Sequence, residues 1–289
     1  MARDLLAVLA QRPLVCDGAM GTMLMASGVE SACPEEINLI SPETVKGIHL
    51  AYVQAGADVI TTNSFGGSRT KMAKSGLEDR VVEANEAAAR IAREAAGDRA
   101  LVAGSMGPLG EFLEPLGELT REQGIQIYRE QAEALARGGV DFFLMETMYD
   151  LRECLVALEA CASAGLPFLC TLSFDMGGRT MMGVSPAQAV AQLRAAGATA
   201  VGTNCGVGPD EMVKVVAEMH QADSGAWLVA QPNAGVPEVR GGATVYSVGA
   251  EEMASFVPAL LENGVRLAGS CCGSSPEYTR AIARAVKGL

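Results

Sequence analysis

One phrase recurs along the chain: a glycine closes a mixed polar and apolar stretch, and a near-continuous apolar run follows within a few residues. It reads QAGADVITTN at Gly56, RGGVDFFLMET at Gly139, SAGLPFLCTLSF at Gly165, AAGATAVGTNC at Gly197 and ENGVRLAGSCC at Gly264. The glycine supplies the left-handed residue that caps a helix, and an unbroken apolar run suits a strand buried on both faces. Three further runs, PLVCDG near residues 13–18, ALVAGSMG near 100–107 and AWLVAQPN near 226–233, complete a set of eight strands. Helix starts are signalled at Ser41-Pro42, at the Thr120 to Gln123 capping box, and at Ser185-Pro186, Pro209-Asp210 and Ser275-Pro276. Eight strands each followed by a helix, at about 36 residues per unit, predict an α/β fold, a (β/α)8 TIM barrel.

No linker or charge block divides the chain, so residues 1–289 are expected to form a single domain. An open doubly wound sheet would carry a glycine-rich fingerprint after its first strand. DGAMGT, at residues 17–22, holds two of the three glycines, and no helix is expected before about residue 42. Long irregular segments follow strand one (residues 18–40), strand three (GPLGEFLEPLGEL) and strand seven (NAGVPEVRGGATVYSV). In a barrel all three lie on the C-terminal face, where binding sites are built.

Charge and composition narrow the chemistry. With 22 Lys+Arg against 34 Asp+Glu, the net charge of −12 disfavours a grip on nucleic acid or an anionic membrane surface. No apolar run reaches the roughly 18 residues of a membrane span, and the opening MARDLLAVLAQRPLV lacks a signal-peptide pattern, so a cytoplasmic protein is expected. Eight Cys among 289 residues are too dilute for a disulfide scaffold. The two histidines, His49 and His220, fall on helical stretches and read as packing or surface residues. A histidine-based mechanism or a His-ligated zinc is therefore not expected.

The residues at the carboxyl ends of the strands carry the candidate chemistry. Strand one ends in Asp17, two in Asn63, four in Glu146, five near Ser173 and Asp175, six in Asn204-Cys205, seven in Gln231 and Asn233, and eight in Cys271-Cys272. Three thiols thus meet on one rim, and three thiolates with an open fourth position form a credible zinc site. A strained vicinal disulfide or simple space filling is the alternative for Cys271-Cys272. Cys16, Cys33, Cys154, Cys161 and Cys170 read as buried fillers; Cys154 and Cys161 are seven apart, at helix packing spacing. A thiol entering the fourth zinc position loses its proton, which makes it a nucleophile toward an alkyl group. Asp17 and Glu146 suit a ligand ammonium, and the Gly18-Ala19-Met20-Gly21 amides suit its carboxylate. Asp17 capping its own loop, and Glu146 pairing with an arginine, are the bland readings.

At these residues the sequence resembles the zinc-dependent homocysteine S-methyltransferases. That family includes the homocysteine-binding module of cobalamin-dependent methionine synthase, betaine homocysteine methyltransferase and S-methylmethionine homocysteine methyltransferase. DGAMGT (17–22), TTNSFGGS (61–68), GSMGP (104–108), Glu146-Thr147, GTNCGVGPDE (202–211), QPNAG (231–235) and GSCCGSSPE (269–277) match in order, across essentially the whole chain. The resemblance implies a (β/α)8 barrel, zinc on Cys205, Cys271 and Cys272, and the homocysteine amino group on Asp17 and Glu146. Gly18, Ala19, Met20, Asn63 and Ser105, within these motifs, are further expected substrate contacts. Asn233 is the candidate fourth zinc ligand before substrate arrives.

QPNAGVP followed by GGATVY looks most like the methionine synthase module. Ser270 departs from the commoner glycine, and the sequence shows no folate- or cobalamin-binding domain. Methyl is therefore expected from methylcobalamin on a separate corrinoid protein. A small onium donor such as betaine or S-methylmethionine is the alternative, although one Trp, five Tyr and seven Phe are few rings from which to build an aromatic cage. A barrel that binds zinc or a different thiol without this methyl transfer is the remaining rival.

Overall fold

A computed structural model of the protein describes residues 4–29, 31–240 and 243–288. Eight parallel strands form the barrel: β1 (Leu14–Val15), β2 (Val59–Thr61), β3 (Leu101–Met106), β4 (Phe142–Met148), β5 (Phe168–Leu172), β6 (Ala200–Asn204), β7 (Leu228–Gln231) and, after an antiparallel hairpin of β8 (Glu238–Arg240) and β9 (Ala243–Val245), β10 (Val265–Ala268). The order β1-β10-β7-β6-β5-β4-β3-β2 returns to its start through a Cys16–Val59 bridge, with the Asp17 N–H donating to the Val59 carbonyl at 3.0 Å. The architecture is the expected (β/α)8 barrel. The hairpin lies in the loop after β7, which the sequence pattern marks only as irregular.

The repeated glycine phrase has the predicted conformation. Gly56, Gly139, Gly165, Gly197 and Gly264 all have positive φ, from 67° to 105°, a region open to glycine at little cost. The expected starts open α4 (Pro42–Ala55), α7 (Arg121–Gly138), α9 (Pro186–Ala195), α10 (Pro209–Ala222) and α13 (Pro276–Lys287), and both Thr120 and Ser185 make full capping boxes. The remaining helices are α1 (Leu5–Gln11), α2 (Met20–Ser27), α3 (Ile37–Ile40), α5 (Arg69–Ala73), α6 (Val81–Ala96), α8 (Leu151–Ala162), α11 (Ala250–Ser255) and α12 (Val257–Glu262). One expectation fails: α2 follows the DGAMGT turn at once, well before residue 42. Its sequence MGTMLMAS hides it, since Ala19 gives no side-chain cap and no polar face alternates with an apolar one.

Two apolar layers hold the barrel. Outward positions such as Ile60, Val102, Phe143, Met145 and Val201 pack against the helices. Inward positions Leu14, Cys16, Val59, Leu101, Phe142, Leu144, Leu169, Val229 and Leu267 fill the interior, and Leu5 and Leu9 of α1 join that inner cluster. Following the two-residue alternation upward, the next inward side chains are Thr61, Ser105, Glu146, Thr171, Asn204 and Gln231. The apolar plug therefore gives way to a polar layer under the C-terminal mouth. No helix among the described residues is long and apolar enough to cross a membrane.

Candidate metal and substrate site

The two cysteine segments reach the same point because both loops hang on the end of β7. The Cys205 N–H donates to the Gln231 carbonyl at 3.1 Å, and the Cys271 N–H donates to the Pro232 carbonyl at 2.7 Å. A turn then closes with the Ser274 N–H donating to the Cys271 carbonyl at 3.2 Å, and Gly273, at φ 82°, lets adjacent cysteines face one way. Cys205 itself has φ 58°, and Gly206 follows at φ 72°. A Cβ on Gly206 would lie 2.3 Å from the Phe174 carbonyl oxygen, so glycine is required there on both counts.

The sulfurs have metal-site spacing. Cys205 Sγ lies 3.8 Å from Cys272 Sγ, Cys271 Sγ lies 4.0 Å from Cys272 Sγ, and all three fall within 4.8 Å of one another. Three thiolates at tetrahedral Zn–S bonds of about 2.3 Å stand about 3.8 Å apart, so this triad can hold a metal ion. The Cys271 and Cys272 thiols donate to Cys205 and pull its pKa down to about 3, which in turn pushes Cys272 up to about 11. Asn233, buried, also donates to the Cys205 sulfur, and its Oδ1 has no partner. The five other cysteines are buried away from this rim. Both histidines also lie away from the cavity, and burial lowers the His49 pKa to about 4.

A cavity of about 380 Å³ opens beside the sulfurs and is lined by Glu146, Ser105, Cys205, Cys271, Cys272 and the first turn of α2, among others. Ser105 Oγ donates to Glu146 Oε1 at 2.5 Å and opposes the effect of burial, which raises the Glu146 pKa to about 7 with help from the Cys205 charge. Met20, Gly21 and Thr22 begin α2, where a helix leaves its first amides unpaired. These three residues line the cavity, whereas the Ala19 N–H is taken by Ser274 Oγ at 3.1 Å. Gly18 lines the same wall, packed so tightly that a Cβ would meet Ser274 Oγ at 2.6 Å.

Two expected contacts are engaged elsewhere. The Asp17 carboxylate lies beneath the cavity, accepting the Thr61 N–H at 2.8 Å and the Thr61 hydroxyl at 3.1 Å, and burial raises its pKa to about 7. Glu146, by contrast, has no arginine partner among the described contacts and presents its carboxyl to the cavity. Asn63 lines the cavity, yet its amide donates to the Pro34 carbonyl at 2.8 Å and to Asn38 Oδ1 at 3.2 Å, tying the β2 loop to the long loop after β1.

Comparison with known proteins decides what kind of barrel this is. A family model described as homocysteine S-methyltransferase matches residues 14–286. The chain belongs to the homocysteine S-methyltransferase family. Methionine synthases from Mycobacterium leprae (strain TN) and Mycobacterium tuberculosis (strain ATCC 25618 / H37Rv) are each 31% identical, over 98% and 99% of the chain. The chain spans about a quarter of the length of these curated relatives, 25% and 26%. The homocysteine methyltransferase MmuM from Escherichia coli, in its oxidized form, superposes with a TM-score of 0.81 at 25% identity, over 97% of this chain and 99% of that one.

In this barrel, four mouth residues had no role assigned to them from the sequence. Thr61 holds Asp17, Gln231 lines the cavity with its Oε1 unpartnered, Tyr246 lines it against Gly273, and Asn204 touches both Glu146 and Cys271. Asn204 and Gln231 stand at strand ends and carried that signal. Tyr246 follows a hairpin that the hydrophobic pattern does not mark.

Proposed function

We propose that the chain works as a single homocysteine-binding barrel that methylates homocysteine to methionine with zinc on Cys205, Cys271 and Cys272. The sulfur spacing of 3.8 and 4.0 Å beside a cavity walled by Glu146 carries this reading. Zinc supplies one thing when bound: a thiol entering its fourth position loses its proton and reacts as a thiolate. Asn233, with its unpartnered Oδ1 beside Cys205, is the proposed fourth ligand before substrate binds.

The chain's own residues place the rest of the substrate. Glu146 accepts the ammonium, and Ser105 keeps that carboxyl turned into the cavity. Asp17 acts on the same ammonium through its negative charge below Glu146. The free amides of Met20, Gly21 and Thr22 take the carboxylate at the positive end of α2. With the ends fixed, the sulfur approaches the methyl carbon along one line, and no protein base is needed at that sulfur.

For the donor we infer a methylcorrinoid on a separate protein. Met25 of α2 and Phe65, Phe112, Leu116, Met176 and Met181 on the loops after β2, β3 and β5 are 38% to 76% exposed, apolar side chains that suit a macromolecular partner at the barrel mouth. Two aromatic rings, Phe65 and Tyr246, line the cavity, fewer than a cage for a small onium ion requires. Zinc content and homocysteine turnover of Cys205→Ala test the metal: both collapse if the reading holds, and retention of either contradicts it. Assays with methylcobalamin, betaine and S-methylmethionine test the donor, and rapid turnover of either onium compound overturns the corrinoid reading.

A further inference from the structure

The β4–β5 ladder slips between Met145 and Met148, which leaves Glu146 and Thr147 in a bulge at the end of β4. Thr147 has φ 60°, a conformation that a β-branched residue adopts only when its surroundings impose it. Asn204, fully buried at the end of β6, is what meets this bulge. Its Oδ1 accepts the Thr147 N–H at 2.7 Å and the Thr171 hydroxyl at 2.7 Å. A backbone N–H can only donate, so the amide orientation is determined and Nδ2 must face the site. There it lies 2.8 Å from Thr147 Oγ1, 3.5 Å from Glu146 Oε2 and 3.8 Å from Cys271 Sγ.

One side chain thus touches both halves of the site. We propose that Asn204 is a positioning residue that couples the sulfur cluster to the Glu146 carboxylate that takes the substrate ammonium, holding Glu146 on its strained bulge and donating to the Cys271 sulfur. The N–H···S contact draws electron density from that sulfur, so Cys271 gives less charge to a metal. The shared contact with Glu146 fixes how far the ammonium site stands from the sulfurs. The inference rests on the proposed zinc site and adds a role that none of the three cysteines can supply.

The test substitutes cobalt for zinc in Asn204→Asp. This variant keeps an oxygen to accept from Thr147 and Thr171 and loses both N–H donors. The expected result is sulfur-to-cobalt absorption bands of normal intensity, which report an intact fold and site, but of shifted energy, with homocysteine bound about 10- to 100-fold more weakly. Bands and homocysteine affinity matching the parent would show that Asn204 only braces the bulge, and would overturn the proposal. If Asn204→Asp does not fold, Thr171→Val removes one of the two donors that orient the amide. That variant is expected to shift the same bands in the same direction and weaken homocysteine about 3- to 10-fold, and parental values overturn the proposal equally. A parent protein without sulfur-to-cobalt bands contradicts the metal site itself, a failure distinct from parental behaviour in the variants.

Discussion

The Asp17 carboxylate accepts the Thr61 backbone N–H at 2.8 Å, where the parallel ladder pattern would put the Asp17 carbonyl. That carbonyl accepts the Ser270 N–H instead, at 3.4 Å. A side chain therefore completes the seam between β1 and β2, directly under the cavity. The same carboxylate closes the barrel and places negative charge near Glu146.

This arrangement sets a pH dependence of stability. Asp17 and Glu146 both have pKa values raised to about 7, chiefly by burial, against about 4 in an unfolded chain. Between those values the folded protein holds protons that the unfolded chain has released, so these groups lose stability as pH rises from about 4 through 7. Urea melts at fixed metal loading should show the advantage of Asp17→Asn over the parent growing with pH across that window, by at most about 1.4 kcal/mol per unit. Parallel curves would contradict the burial argument.

Glu146→Gln separates substrate binding from metal binding. The variant keeps an acceptor for the Ser105 hydroxyl and loses the charge that pairs with an ammonium. Homocysteine should bind about 10- to 100-fold more weakly, the scale of a charged hydrogen bond, with zinc stoichiometry intact. For the parent, homocysteine affinity should fall as pH drops below about 7, where the Glu146 carboxyl takes up its proton. Affinity that is flat with pH and equal in the variant removes Glu146 from the ammonium site.

Gly206→Ala tests the backbone geometry behind Cys205. A Cβ there would sit 2.3 Å from the Phe174 carbonyl oxygen at a residue with φ 72°. The expected cost is about 1–3 kcal/mol of stability together with weaker zinc binding. The contrast is Gly47→Ala in α4, where nothing lies within 4 Å and helix propensity favours alanine by up to about 1 kcal/mol. Chemical denaturation of the two variants should move in opposite directions.

The cysteines divide by function. Cys154 and Cys161 of α8 are buried in the outer core, so replacing either with alanine should cost about 1 kcal/mol through lost packing and leave one metal per chain. Metal analysis that shows a loss of zinc in either variant would contradict the assignment to three rim sulfurs.

The legible features were local ones. Glycine caps at Gly56 or Gly139 and boxes at Thr120 or Ser185 are settled within a few residues, so a single pass along the chain finds them. The rim cysteines were legible because strand ends share one face of the barrel. What escaped depends on partners far away in sequence. Asp17 is engaged by Thr61, 44 residues on, and the Asn63 amide turns to Pro34 and Asn38 because the loop after β1 folds back over it. Helix α2 was invisible because MGTMLMAS carries neither a cap nor an amphipathic pattern, and it is held by its place between α4 and the cavity.

The central claim is that three protein sulfurs bind zinc and leave its fourth position to homocysteine. X-ray absorption at the zinc edge counts those neighbours directly. The account predicts three sulfurs at about 2.3 Å and one lighter atom in the protein alone, and four sulfurs after homocysteine is added. A sulfur count that stays the same with homocysteine, or a zinc shell of oxygen and nitrogen, would contradict it.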